Sequence, residues 1–241
     1  MLFKLFSIYL LTFFLPLFAD SYNYQLSKEY NLKKDYKNAL KYSIQALTID
    51  LDNNMSTYES ISTDYNNVAY FYQKLNKWQE ALTYYLKALE TINKDKKIKY
   101  LKKHTIYYNN IATIYDQLKL YDKALEFYKK SSLIYEKKLP KLHPYKATTY
   151  SDIGNIYLKL NNKELALTYH LKALNIRKKG KLKPTHPDML LSYYTVAELN
   201  RVLNKKVDAK KYYKELIKIY RENNIENNTT KIIEKNLNLL L

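Results

Sequence analysis

The chain contains no cysteine. Disulfides, thiolate metal sites, cysteine nucleophiles and a lipid-bearing N-terminal cysteine are excluded with it. Glycine is nearly as scarce, with Gly154 and Gly180 alone, and prolines number only five. Two isolated glycines leave no phosphate-cradling loop and no nucleophile elbow. All-β folds need many turn residues, so the same scarcity points to helices joined by short connections. The four histidines, His104, His143, His170 and His186, form no pair at the spacing a helical metal site needs. No carboxylate pair stands apart from ordinary helix-surface charge. The sequence thus offers no catalytic, metal or cofactor constellation, and the expectation is a non-enzyme with no small-molecule substrate.

What is present is apolar and basic. Apolar residues make up 46% of 241 positions, enough for a continuous core. The formal charge is +18, almost entirely from lysine, since Arg177, Arg201 and Arg221 are the only arginines. Part of this is compositional drift, because Asn, Ile, Tyr and Lys are abundant together. The charge still creates a salt-sensitive field that attracts acidic proteins, anionic lipid or nucleic acid. Acidic residues are interspersed throughout, so a solvated lysine surface is the simpler explanation.

The segment Met1 to Ala19 has one basic residue, Lys4, then an apolar run from Leu5 to Phe18. Ala19 is the small residue before Asp20. This is the layout of an export signal, and the run is shorter than the ~20 residues that span a bilayer comfortably. The expected cut follows Ala19. Leu17 at the third position before that cut is larger than the preferred small residue, which leaves an uncleaved membrane anchor as the alternative. The expected destination is periplasmic or secreted, or membrane-anchored facing the periplasm.

A repeat of 42 or 43 residues fills the rest. Tyr65-Asn66-Asn67-Val68-Ala69 aligns with Tyr108-Asn109-Asn110-Ile111-Ala112, then with Tyr150-Ser151-Asp152-Ile153-Gly154, then with Tyr193-Tyr194-Thr195-Val196-Ala197. Asn23 to Ser27 fits one period earlier. Twelve residues after the small residue stand Ala39, Ala81, Ala124, Ala166 and Ala209, and seven further on Ala46, Ala88, Ser131, Ala173 and Leu216. Each unit therefore reads as two helices with apolar residues at i, i+3, i+4 and i+7. The small residues belong where the two helices cross closely. Leu75-Asn76-Lys77 and its three later counterparts mark the break within each unit, where Asn tolerates left-handed backbone. His143-Pro144 and His186-Pro187 lie 43 apart, and proline there suits a helix's first turn. Of the 28 tyrosines, Tyr65, Tyr108, Tyr150 and Tyr193 share one repeat position and Tyr85, Tyr128 and Tyr213 another. Both are expected in the core, in preference to a base-stacking role. His170 takes the second of these slots, and Trp78 opens a second helix as inter-helix packing.

This set of positions resembles the tetratricopeptide repeat, lengthened by eight or nine residues. The Asn-Asn-apolar-Ala run and the preceding His-Pro resemble the kinesin light chain type of that repeat, which is also widespread in bacterial proteins, and the N-terminal segment makes an exported form the expectation. The resemblance covers about Tyr22 to Asn223. It implies an all-α, right-handed superhelical solenoid of about five helix pairs over residues 20–228 and a capping helix over 229–241. First helices would line a concave groove. The residues one, two and five places after the tyrosine project towards it, with the next turn beyond. The candidate partner-binding set is Asn66, Asn67, Tyr70, Gln73, Asn109, Asn110, Thr113, Gln117, Asn155, Lys159 and Arg201. Side-chain amides offer donors and an acceptor to an extended peptide backbone, and the resemblance carries that role to Asn66 and Asn109 first. Ser151 and Tyr194 interrupt the asparagine series.

The expected function is a protein-interaction scaffold binding a protein or peptide, with acidic ones favoured by the field. The alternatives are a membrane-anchored sensor or assembly subunit of an envelope complex and, less favoured, a nucleic-acid binder. Export and the shortage of arginine argue against the last.

Overall fold

The computed structural model describes residues 21–95, 101–225 and 228–239. The expected export segment, residues 1–19, lies outside them, as does Leu240 of the expected cap. The described residues form eleven helices and no strand. They are α1 (residues 21–32), α2 (Tyr36–Asp52), α3 (Tyr58–Lys74), α4 (Trp78–Asn93), α5 (Leu101–Gln117), α6 (Tyr121–Lys138), α7 (Pro144–Lys159), α8 (Lys163–Lys179), α9 (Pro187–Val202), α10 (Lys206–Glu222) and α11 (Asn228–Asn238). The fold is all-α, with helix pairs in a repeat array. Odd-numbered helices open each pair and even-numbered ones complete it. The chain divides into two compact units, Met1–Leu120 and Tyr121–Leu241.

The helices stop where the sequence supplies left-handed backbone. Lys34, Asn76, Lys119, Asn161 and Asn204 all have φ between 57° and 60° at the break within a pair. The residue after each sends its N–H back five residues, as in Lys77 to the Tyr72 carbonyl at 2.9 Å and Asn162 to the Tyr157 carbonyl at 2.8 Å. That bond satisfies carbonyls the helix end would leave open. Helices α2, α3, α7, α8 and α9 start on side-chain caps, whereas α4 and α10 have none. His143 and His186 accept the backbone N–H of Tyr145 and Asp188 through Nδ1, at 3.2 and 3.1 Å, with proline at the next position. The two pre-proline histidines are thus capping residues.

The crossing within each pair is set by alanine. Ala39, Ala81, Ala124, Ala166 and Ala209 are fully buried, as are Ala69, Ala112 and Ala197 on the facing helices. In the α7–α8 pair the facing residue is Gly154, because His170 fills the space. A Cβ on Gly154 would lie 2.7 Å from the His170 ring. Tyr85, Tyr128 and Tyr213 are buried as their slot requires. The other tyrosine position departs from expectation. Tyr193 is buried, but Tyr65, Tyr108 and Tyr150 are only half-buried. They sit at the edge between helices, where a ring covers the core with its inner side, and the Tyr150 hydroxyl donates to Glu136 Oε1. Tyr65 lies 6.1 Å from the Tyr84 ring, and Tyr84 stacks on Tyr72 at 5.3 Å. Tyr150, Tyr169 and Tyr157 repeat the arrangement at 5.9 and 5.4 Å. Lys87 and Lys172 place their ammonium groups over these rings.

The last helix begins at Asn228, one residue before the expected boundary, and packs on α10 with Ile233 fully buried.

Candidate functional site

In the first unit the candidate residues fall on two neighbouring opening helices. Asn66, Asn67, Tyr70 and Gln73 lie on α3, and Asn109, Asn110, Thr113 and Gln117 on α5. All are half-buried except Gln117, which is exposed. The helices are tied side by side by polar bonds. Asn110 Nδ2 donates to Asn66 Oδ1 at 2.9 Å. The Tyr107 hydroxyl donates to Ser62 Oγ at 3.1 Å. Lys103 donates to Thr63 Oγ1 at 2.6 Å and pairs with Glu59 at 3.1 Å. Asn66 and Asn110 thus recognise each other first, one from the position after the repeat tyrosine and the other from the second position after it. The bond uses one acceptor and one donor. Asn66 keeps its two amide N–H groups, and Asn110 keeps its carbonyl oxygen.

Further along α3, Gln73 Oε1 accepts the Tyr85 hydroxyl at 2.8 Å. Burial pushes the Tyr85 phenol well above its ordinary range, so it remains a neutral donor. With its oxygen held, Gln73 keeps its two amide N–H groups as donors. Tyr70 meets the edge of Phe71 at 5.1 Å and carries Lys74 over its ring. The Thr113 hydroxyl donates to the Asn109 carbonyl at 2.9 Å. The opening helices carry little net charge: zero on α1, −1 on α3 and +1 on α5.

In the second unit Asn155 and Lys159 are exposed on α7. Arg201 on α9 is committed within the protein. Its Nε and Nη2 donate to Glu198 Oε2 at 3.1 and 2.8 Å. Glu198 Oε1 accepts from the Tyr213 hydroxyl and from Asn236 Nδ2, the latter at 2.7 Å. Burial raises the Glu198 carboxyl, but these donors outweigh it and hold the group below the usual carboxylate range. The expected outward projection of Glu198 is therefore replaced by a cluster joining α9, α10 and α11. The reason is positional: Asn236 lies 43 residues after Tyr193, so α11 takes the place of another opening helix beside α9.

The sequence assigned Arg177 no role. It sits between α7 and α9, donating to Ser151 Oγ at 2.9 Å and Ser192 Oγ at 2.6 Å. Burial lowers its pKa, partly opposed by Asp188 and Asp152. Asp50, Ile92, Tyr135 and Tyr220 occupy the equivalent repeat position. An arginine in a mostly apolar series was the available signal.

Among the described residues no group of three or more His, Asp or Glu side chains is placed to hold a metal ion. No described helix is long and apolar enough to cross a membrane.

Paired helices crossing on alanine, ended by left-handed asparagines and presenting polar opening helices, define a helical-repeat interaction domain. Tetratricopeptide repeat profiles match residues 20–53, 65–94 and 104–179, and the chain belongs to the tetratricopeptide repeat family. Such repeats generally serve as protein–protein interaction scaffolds and are usually non-catalytic. Among solved structures, BtubC (BKLC) from P. vanneervenii is similar with a TM-score of 0.75 at 17% identity, over 88% of this chain and 85% of that one. The nearly identical TPR-like repeats of a putative kinesin light chain from Podosopora anserina give 0.71 at 17%, over 84% and 95%. PilF of Pseudomonas aeruginosa gives 0.59 at 18%, over 93% of each chain. These likenesses extend to the fold. No curated protein matches the chain in sequence.

Proposed function

We propose that the α3–α5 face of the first unit holds an extended segment of a partner protein by its main chain. The Asn66–Asn110 bond carries this reading. It orients two side-chain amides so that one offers N–H donors and the other a carbonyl acceptor. A peptide group needs that pair in return, with its C=O to Asn66 and its N–H to Asn110. The N–H groups of Gln73 extend the row. The near-neutral opening helices favour backbone recognition over charge, so an acidic segment has no special advantage on this face.

A displayed library of random peptides tests the idea. Panning against the native protein should enrich peptides that the Asn66→Leu, Asn110→Leu variant no longer selects, at unchanged helical content. Enrichment of the same peptides by both proteins would move the binding surface elsewhere. The export segment would place this scaffold beyond the inner membrane. That part falls if the protein is recovered from the cytoplasm with Met1 intact.

A further inference from the structure

The net charge is distributed unevenly through the fold. The second unit carries +13 of the +18, although it holds half of the chain. Within it the opening helices α7 and α9 carry +1 and −1 and cancel. The completing helices α6, α8 and α10 carry +2, +4 and +3, and the connections after α6, α8 and α9 add another +4. The corresponding helices of the first unit, α2 and α4, carry zero and −1. Compositional drift towards lysine would load both kinds of helix and both units alike. It does not account for completing helices that sum to +9 in the second unit and to −1 in the first, where the remaining charge lies mainly in the connections, +3 of it over residues 94–100.

The lysines of that layer are displayed to solvent. On α10, Lys211, Lys214 and Lys218 are exposed and follow one another at helical spacing, beginning from Val207, itself 83% exposed. On α6, Leu133 is 57% exposed between Lys130 and Lys137, both exposed. Tyrosine rings lie under several of the ammonium groups. Lys172 covers Tyr169 on α8 and Lys211 covers Tyr212 on α10, both rings half-buried. Flexible point charges, amphipathic rings and isolated aliphatic side chains on one layer have a common use. They match the interface of a lipid bilayer, where lysine meets mobile anionic headgroups, tyrosine rests at headgroup depth and a leucine or valine enters the acyl boundary. A structured phosphodiester would draw instead on arginine forks, and this layer holds only Arg177, turned inward to serines, and Arg221, paired with Glu234 at 3.0 Å.

We propose that the layer formed by α6, α8 and α10 docks the protein on a membrane surface rich in anionic lipid. The docking does not depend on the reading of the α3–α5 face.

Flotation of the full chain with lipid vesicles decides it. The probes are phosphatidylcholine vesicles and vesicles of phosphatidylcholine mixed with phosphatidylserine. The protein should float with the second and not the first, and leave it as salt is raised. Lys211→Glu, Lys214→Glu, Lys218→Glu should weaken the partition at least about a hundredfold, since each lysine near such a surface contributes on the order of 1 kcal/mol. Lys37→Glu, Lys41→Glu, Lys87→Glu makes the same charge change on α2 and α4 and should retain most of the binding. Every substituted lysine is exposed, and circular dichroism confirms that both variants fold. Absence of binding to the mixed vesicles overturns the proposal. So does equal loss in the two variants, which would mean a response to net charge alone. Binding of single-stranded RNA that depends on α10, with vesicles ignored, would assign the layer to nucleic acid and overturn it as well.

Discussion

At the scale of single residues, the second unit is set apart by His170. Where Tyr85, Tyr128 and Tyr213 fill the same slot, an imidazole lies against Gly154, and its Nε2 has no hydrogen-bond partner. Burial above all, with the charge of Arg177, lowers the His170 pKa to about 4. In the unfolded chain a histidine titrates near 6.5. The unfolded state therefore takes up the proton first as pH falls. The stability associated with neutral His170 is complete above about 6.5, declines as pH drops, and is spent by about 4. The span is on the order of 3 kcal/mol. Glu136 and Glu198 lose their stabilisation in a lower window, because hydrogen bonds hold both below the usual carboxylate range. His170→Phe keeps an aromatic ring in the slot and removes the proton. Urea midpoints measured from pH 7 to pH 4 should fall steeply for the native chain and much less for the variant. Parallel curves would show that His170 is not the titrating group.

At the scale of elements, α11 depends on few contacts. Ile233 is its one fully buried side chain, and Asn236 joins it to Glu198 and Tyr213. Eleven residues form a marginal helix on their own. Ile233→Ala removes much of the apolar anchor, a change worth about 2–5 kcal/mol at a fully buried site, and α11 should undock before anything else unfolds. Hydrogen exchange should then rise across residues 228–238 while α8 and α9 keep their protection. Unchanged exchange in α11 would show that the polar cluster holds it alone. The repeat itself was legible in the sequence because size constraints recur: alanine at each crossing, asparagine or lysine at each left-handed break, proline at two starts. Depth was less legible. Periodicity tells which side of a helix faces inward but not how far a long side chain reaches, and so Tyr65, Tyr108 and Tyr150 looked like core and lie at an edge. Lateral partners were hidden for a related reason. Whether Asn66 meets Asn110 depends on how two helices lie side by side, which neither sequence segment contains. The Glu198 cluster had a readable sign, since Asn236 keeps the 43-residue spacing.

At the scale of the whole molecule, packing follows chain order. Within the first unit α2 meets α3, α3 meets α4 and α4 meets α5; within the second, each helix from α6 to α11 packs on the next. A repeat array built this way has stability set mainly by each repeat and its immediate neighbours. A defect in one repeat is therefore felt locally before it is felt globally. Ala166 offers the test, being fully buried at the α7–α8 crossing. Ala166→Leu forces the helix axes apart and should cost about 1–3 kcal/mol. Because the two units are separately compact, that cost should fall on the second. Exchange should quicken in α7, α8 and α9, while α3 and α4 exchange as in the native chain. The α3–α5 face should then select the same peptides as before, since nothing it uses lies in the second unit. If protection is instead lost evenly from α2 to α10, the chain unfolds as one cooperative body, and a change in either unit would reach both the amide pair and the lysine-bearing layer.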